Sequence, residues 1–173
     1  IAGNSFIGGN IEIFPNGYVF TGSGTSAFVL VHDGASFINN GVLAGTEPGG
    51  TQSIGTVQFS STTGNQVLSG SGTFVQNNAL SLASTGLLTF NQTNEYVVIR
   101  LNFFRGSLAY TDKITVGFGG SPSPGIQRGG IAASPAPVFD NLPTFNIGTG
   151  GLALVYATSS GTITTGPEIP ATR

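Results

Sequence analysis

Seven carboxylates are the side chains best suited to bond-breaking chemistry in this chain: Glu12, Asp33, Glu47, Glu95, Asp112, Asp140 and Glu168. Hydrolysis of a glycosidic bond needs two of them about 5 to 10 Å apart, one as acid and one as base or nucleophile. No two stand at i, i+2 on one strand. Glu12 and Asp33 are 21 residues apart, and a repeating strand architecture with a lap of about 21 residues would stack them about 5 Å apart. They are the one candidate pair. Against it, Asp33 precedes Gly34 as turn aspartates do, and Glu12 sits between Ile11 and Ile13 as an exposed strand residue does. The structural assignment is the expected one, and no catalytic residue is assigned.

The remaining reactive types are sparse. His32 is the sole histidine; beside a turn, with no second His to share a metal, it reads as a polar surface residue. There is no cysteine, hence no disulfide, thiolate nucleophile or thiolate metal site. Serines lack a G-x-S-x-G context. Gly22–Ala27, GSGTSA, has the glycines of a phosphate loop but no lysine follows it. Calcium repeats of the G-G-x-G-x-D kind are absent. No metal or cofactor is expected. Arg100, Arg105, Asp112 and Lys113 form the densest charge cluster, and Arg128, in GIQRGG, sits on the Gly/Pro-rich stretch 119–137. Arg100, Arg105 and Arg128 are the candidate surface contacts, for an anionic glycan or a neighbouring subunit. The bland reading of the cluster is solvent-facing strand positions with local pairing of little energetic weight. Tyr96, Phe103, Phe104, Tyr110 and Tyr156 would serve a sugar platform if exposed; the core is their default place.

What must position these residues is legible in Val57–Phe90, VQFSSTTGNQVLSGSGTFVQNNALSLASTGLLTF. Short apolar runs start ten, seven, six and seven residues apart, separated by Gly, Ser, Thr and Asn. Three such steps make a lap of about 21 residues, the coil of a parallel β-solenoid. Each strand is too short to bury much alone, but stacked on its counterpart one coil away it closes a hydrogen-bond ladder and extends a shared core. Gly, Asn and Ser serve the corners. The expected fold is therefore all-β, a parallel β-solenoid (β-helix) unit, with a β-sandwich as the alternative that strand spacing also allows.

The same texture divides the chain. Residues 1–45 read as the first coils, punctuated by Asn16-Gly17, Asp33-Gly34 and Asn40-Gly41, which serve either as hairpin turns or as solenoid corners. Residues 46–56 read as a loop and 57–118 as the central coils. Residues 119–137 hold four of the nine prolines and five glycines, which predicts a surface loop or extended edge rather than a central strand. Residues 138–173 read as terminal strands and a linker to a next repeat. No helix is expected.

Composition narrows the function. Charged residues make up 7%, against roughly 25% in ordinary soluble domains, so Ser, Thr, Asn, Gln and Gly must cover the surface, as in extracellular fibres and adhesins. A net charge of −2 offers no basic field, so nucleic acid is not an expected partner. No run of about 18 apolar residues is present to span a membrane. Ile1–Asn10 lacks a basic and apolar leader pattern, and the abrupt Ile1 and Arg173 ends read as those of a piece of something longer.

The blocks TVQFSSTTGNQVLSGSGTFVQNNALSLASTGLLTF, KITVGFGG, FDNLPTFNIGTGGLALVYA and ITTGPEIPATR resemble repeat units of giant Bacteroidetes cell-surface adhesin and filament proteins, over roughly residues 55–173 and more loosely the first 45. That resemblance implies type IX secretion, extracellular display, a part in gliding or adhesion, and partners in adjacent repeat units or neighbouring subunits and surface glycans. It carries over no catalytic residue. The expected function is a structural and adhesive surface segment without catalysis. The alternatives are a carbohydrate-binding or polysaccharide-degrading β-helix and a viral spike or fibre segment.

Overall fold

The computed structural model describes residues 4–23, 26–46, 55–62, 64–75, 77–117, 124–129, 138–141, 143–147 and 151–157. They form a parallel β-solenoid. In the first coil Ser5–Ile7, Ile11–Ile13 and Tyr18–Phe20 lie on three successive faces. The second coil repeats them as Val29–His32, Ser36–Asn39 and Val42–Ala44, and the third as Thr56–Phe59, Gln66–Gly70 and Thr73–Val75. Every pairing between coils is parallel. The β-sandwich alternative falls.

The third face then merges with the first. EYVVIRLNFF has no Gly to turn a corner, and Tyr96–Phe103 runs straight for eight residues. Its start carries Tyr96 against Phe74 of the third face (ring centroids 4.0 Å apart, 73° between planes), while Leu101 and Phe103 pair with Leu80 and Leu82 of the first. Ile114–Val116 and Gly125–Gly129 continue its two halves side by side. The one helical turn among the described residues is the 3-10 segment Thr111–Lys113, and no described helix is long and apolar enough to cross a membrane.

Two inward columns on the first face hold the core. One stacks Leu30, Val57, Leu80, Leu101 and Ile126 in register. The other stacks His32, Phe59, Leu82, Phe103 and Arg128. From the second face Phe37, Leu68 and Phe90 meet them. Each fully buried Leu or Phe contributes about 1.5–3 kcal/mol of hydrophobic stabilisation, and a column joins these contributions across coils that would not fold singly.

The corners are held by asparagine. Asn4, Asn10, Asn40 and Asn65 each offer Oδ1 to a backbone N–H one coil further on, those of Val29 (2.9 Å), Ser36 (3.0 Å), Ser71 (3.2 Å) and Leu87 (3.0 Å). These bonds also measure the lap: 25 and 26 residues between the first two coils, 31 between the next two, 22 thereafter. The lap of about 21 residues thus holds in the centre, where Asn102 Nδ2 donates to Ser81 Oγ across 21 residues, and not in the first coils. In the second lap some of the extra residues leave the stack between the first and second faces, since Leu30 and Val57 are 27 apart but Phe37 and Leu68 are 31 apart. In the first lap they leave it between the third and first faces. There Gly22–Ser23 pairs antiparallel with Ser26–Ala27, so GSGTSA is a small hairpin. Asp33-Gly34 and Asn40-Gly41 are corners.

The expected loop at 119–137 is interrupted. Gly125–Gly129 is a central strand between Tyr96–Phe103 and Ala153–Ala157. GIQRG itself contains no proline, and Pro124 just ahead of it still serves the ladder through its carbonyl, which accepts from Ala153 N (2.9 Å). The rest of the loop at 46–56 apart from Thr46, Gly55 and Thr56, and the linker beyond Ala157, lie outside the described residues.

One interior hydroxyl is unmatched. Tyr96 is 1% exposed and its Oη is buried with no hydrogen-bond partner, so burial pushes its pKa well above the ordinary value. Tyr96→Phe removes that polar atom and keeps the ring packed against Phe74 and Phe90. Urea unfolding is expected to show a gain of about 1 kcal/mol; a loss of stability would show that the hydroxyl has a partner.

Candidate functional site

The structure separates the residues singled out for chemistry. Glu12 is exposed on the second face and pairs in register with Ile38. Asp33 stacks one residue past the Ser5–Ile7 strand, its N–H on Ile7 O (3.0 Å). The 21-residue separation does not stack them, because this lap is longer by the hairpin residues. His32 is a correction too: it is fully buried, edge-on to Phe37 and Phe59 with ring centroids 5.4 and 5.6 Å away. A carbonyl only accepts, so Nε2 must carry the proton it shares with Gly9 O (3.1 Å). Nδ1 then faces the Gln66 amide at 3.5 Å. Gln66 Nε2 is itself held by the carbonyls of His32 (3.1 Å) and Gly34 (2.9 Å), and Gln66 Oε1 accepts from Ser61 N (3.3 Å). This buried cluster ties the second and third coils together. Desolvation depresses the His32 pKa, against the opposing influences of the Gly9 hydrogen bond and the Asp33 charge.

The arginines also divide. Arg128 is 4% exposed, in the interior column above Phe103, and is not a surface contact. Arg105 turns along the corner, its Nε–H donated to Ala83 O. Arg100 is exposed on the outer surface of the first face. Asp112 and Lys113 belong to the 3-10 turn. Among the aromatics, Tyr96 and Phe103 are buried and Tyr110 is exposed. Asp140 has a structural task. Its carboxylate accepts from Tyr110 N (2.5 Å), Thr111 N (3.0 Å) and Thr111 Oγ1 (2.7 Å), fixing the turn where Tyr110 takes φ +60°. Burial raises its pKa, but the bonds from Thr111, Tyr110 and Asn141 outweigh that and leave it below the ordinary value.

The outward columns of the first face make a concave feature that includes one of the predicted contact residues, Arg100. One column runs Thr56, Ala79, Arg100, Gly125, Ala153. Beside it runs Gln58, Ser81, Asn102, Gln127, Val155. Beyond Arg100 the first column drops to Gly125 and Ala153, and the missing side chains leave a groove of about 210 Å³. Arg100, Asn102, Gln127 and Val155 stand around it with Gly125, Ile126 and Ala153 as its floor. Among the described residues Arg100 is the only charged one in the lining; its register neighbours, Ala79 and Gly125, are neutral. Such a surface offers one bidentate cation, two amides that each donate and accept, and an apolar floor.

Sequence reasoning named Arg100 but not the amide column with it. The signal was there in the alternation of RLNF: Leu101 and Phe103 face the core, so Arg100 and Asn102 face out together. Among the described residues no three His, Asp or Glu side chains converge as metal ligands. Comparison with protein-family models, curated proteins and solved structures finds no match to this chain.

Proposed function

We propose that the chain is a structural and adhesive segment of an exported cell-surface repeat protein or extracellular fibre. The observation that carries this reading is the stack itself: parallel rungs in register, a shared interior built mostly of Leu, Ile, Val and Phe, and an exterior mostly of neutral polar side chains. Stability in such a stack grows with each rung and does not rest on salt-screened charge, which suits a module exposed to variable surroundings. The first coil adds support. Among the described residues the strands Ser5–Ile7 and Ile11–Ile13 end their two sheets, and Phe6 and Phe14 are 67% and 66% exposed, an edge suited to a neighbouring coil or subunit. The resemblance to giant Bacteroidetes surface repeats, with type IX secretion, fits the same reading. No catalytic step belongs to it.

An antibody fragment raised against the folded chain tests both halves on intact cells that make the protein. Surface labelling without permeabilisation and blocked attachment to a solid surface are expected. Labelling only after lysis would overturn export, and labelling without any effect on attachment would overturn adhesion.

A further inference from the structure

We propose that the first-face groove binds a strand of uronate-bearing polysaccharide, with Arg100 taking a sugar carboxylate and Asn102 and Gln127 taking ring hydroxyls. The proposal rests on the adhesive half of the function above and names its ligand. The groove is built by composition: Gly125 and Ala153 follow Arg100 in one outward column, and their missing side chains clear a trough beside the exposed guanidinium. A planar guanidinium matches a carboxylate with two parallel hydrogen bonds. Asn102 is oriented by its Nδ2 bond to Ser81 Oγ (3.2 Å), which leaves Oδ1 to accept from a hydroxyl. Gln127 sits in the same column on the next rung, about 4.8 Å along the solenoid axis. That spacing is close to the length of one pyranose ring, so a glycan lying along the axis meets an amide at successive sugars. Val155 and the Gly125–Ala153 floor offer an apolar surface to the C–H face of the ring.

The charge count selects among anionic ligands. A single cation among the described residues of the groove and a chain net charge of −2 give no field for nucleic acid or a densely sulfated glycan, whose binding draws on many cations. A weakly acidic, hydroxyl-rich strand is the chemistry that fits.

The test is calorimetric titration of the folded chain with oligogalacturonate, using the fully methyl-esterified oligomer as a control of equal backbone and no charge. Binding of the acid form is expected. The ester and the Arg100→Gln variant are each expected to weaken it by about tenfold or more, the scale of one charge-assisted hydrogen bond. Arg100 is exposed, so Arg100→Gln is expected to melt as the parent does. Ala153→Leu, which refills the trough, is expected to weaken binding of acid and ester alike. Absence of binding by oligogalacturonate, or affinity within about twofold after Arg100→Gln, overturns the proposal. The attachment assay reads the adhesive function separately. Attachment that the antibody blocks but Arg100→Gln leaves whole would sink the groove and keep adhesion. Uronate binding without surface attachment would do the reverse.

Discussion

Gly70→Ala is expected to remove about 3 kcal/mol or more of stability, a large share of what a chain of this size holds. Gly70 has φ +118°, a conformation that side chains rarely adopt, and a Cβ there would lie 2.1 Å from Asn39 O. The obstacle is backbone of the preceding coil, and it has no room to yield. Asn39 O also accepts from Gly72 N (2.7 Å), and its buried side chain bonds Gly41 N (3.1 Å) and Thr73 O (3.2 Å). Pushing Asn39 away therefore opens the corner that joins the second and third coils. Gly64→Ala is the matched control: its added Cβ meets nothing within 4 Å, and a change within about 0.5 kcal/mol is expected. Equal effects in urea unfolding would show that coil-to-coil backbone approach does not limit this fold.

Acid is expected to weaken the fold through His32 before the carboxylates titrate. The buried ring is held neutral, so its folded pKa lies below the ordinary 6.5. As pH falls through about 6.5 the unfolded chain takes up the proton first, and stability drops by up to about 1.4 kcal/mol per pH unit until the folded pKa is reached. The stabilisation is whole above that window and is lost below it. The geometry explains the resistance. Protonated Nδ1 would point a hydrogen at the Gln66 amide, which already donates to His32 O and Gly34 O; turning that amide over would forfeit both bonds. Phe37 and Phe59 close the rest of the site, and Asp33 is the charge that acts on it. His32 is the sole histidine, so the slope of unfolding free energy between about pH 5 and 6.5 is assigned to it. His32→Gln should flatten that slope even though it lowers stability overall. A slope unchanged in His32→Gln would contradict the assignment.

The solenoid was legible in Val57–Phe90 because its corners come at near-constant intervals, and there the lap agrees with the structure. Glu12 and Asp33 were misjudged for a physical reason. Their pairing assumed that lap in the first coils, where Gly22–Ala27 leaves the stack as a hairpin and shifts every residue after it. Arg128 was read as a loop residue because prolines crowd its surroundings, although GIQRG is free of them and alternates like a strand. His32 was drawn to the surface by the Asp33-Gly34 turn, whereas the alternation in VLVH sends it inward with Leu30. The corner asparagines were seen as turn formers, but their bonds to the next coil depend on which residues stack, and no single strand reveals that.

Parallel in-register stacking is the claim on which the core, the corners and the groove all depend, and a cysteine-free chain permits a direct test by paired substitution. Gln58→Cys with Ser81→Cys, and Ser81→Cys with Asn102→Cys, join register neighbours in one outward column of the first face, within the Cα separation of about 4.4–6.8 Å that a disulfide spans. Gln58→Cys with Asn102→Cys places the thiols two rungs apart, about 10 Å, beyond that reach. Under mild oxidation of the folded protein, both adjacent pairs are expected to cross-link within the chain and the two-rung pair is not. Ready cross-linking of the two-rung pair, or failure of both adjacent pairs in correctly folded protein, would contradict the solenoid.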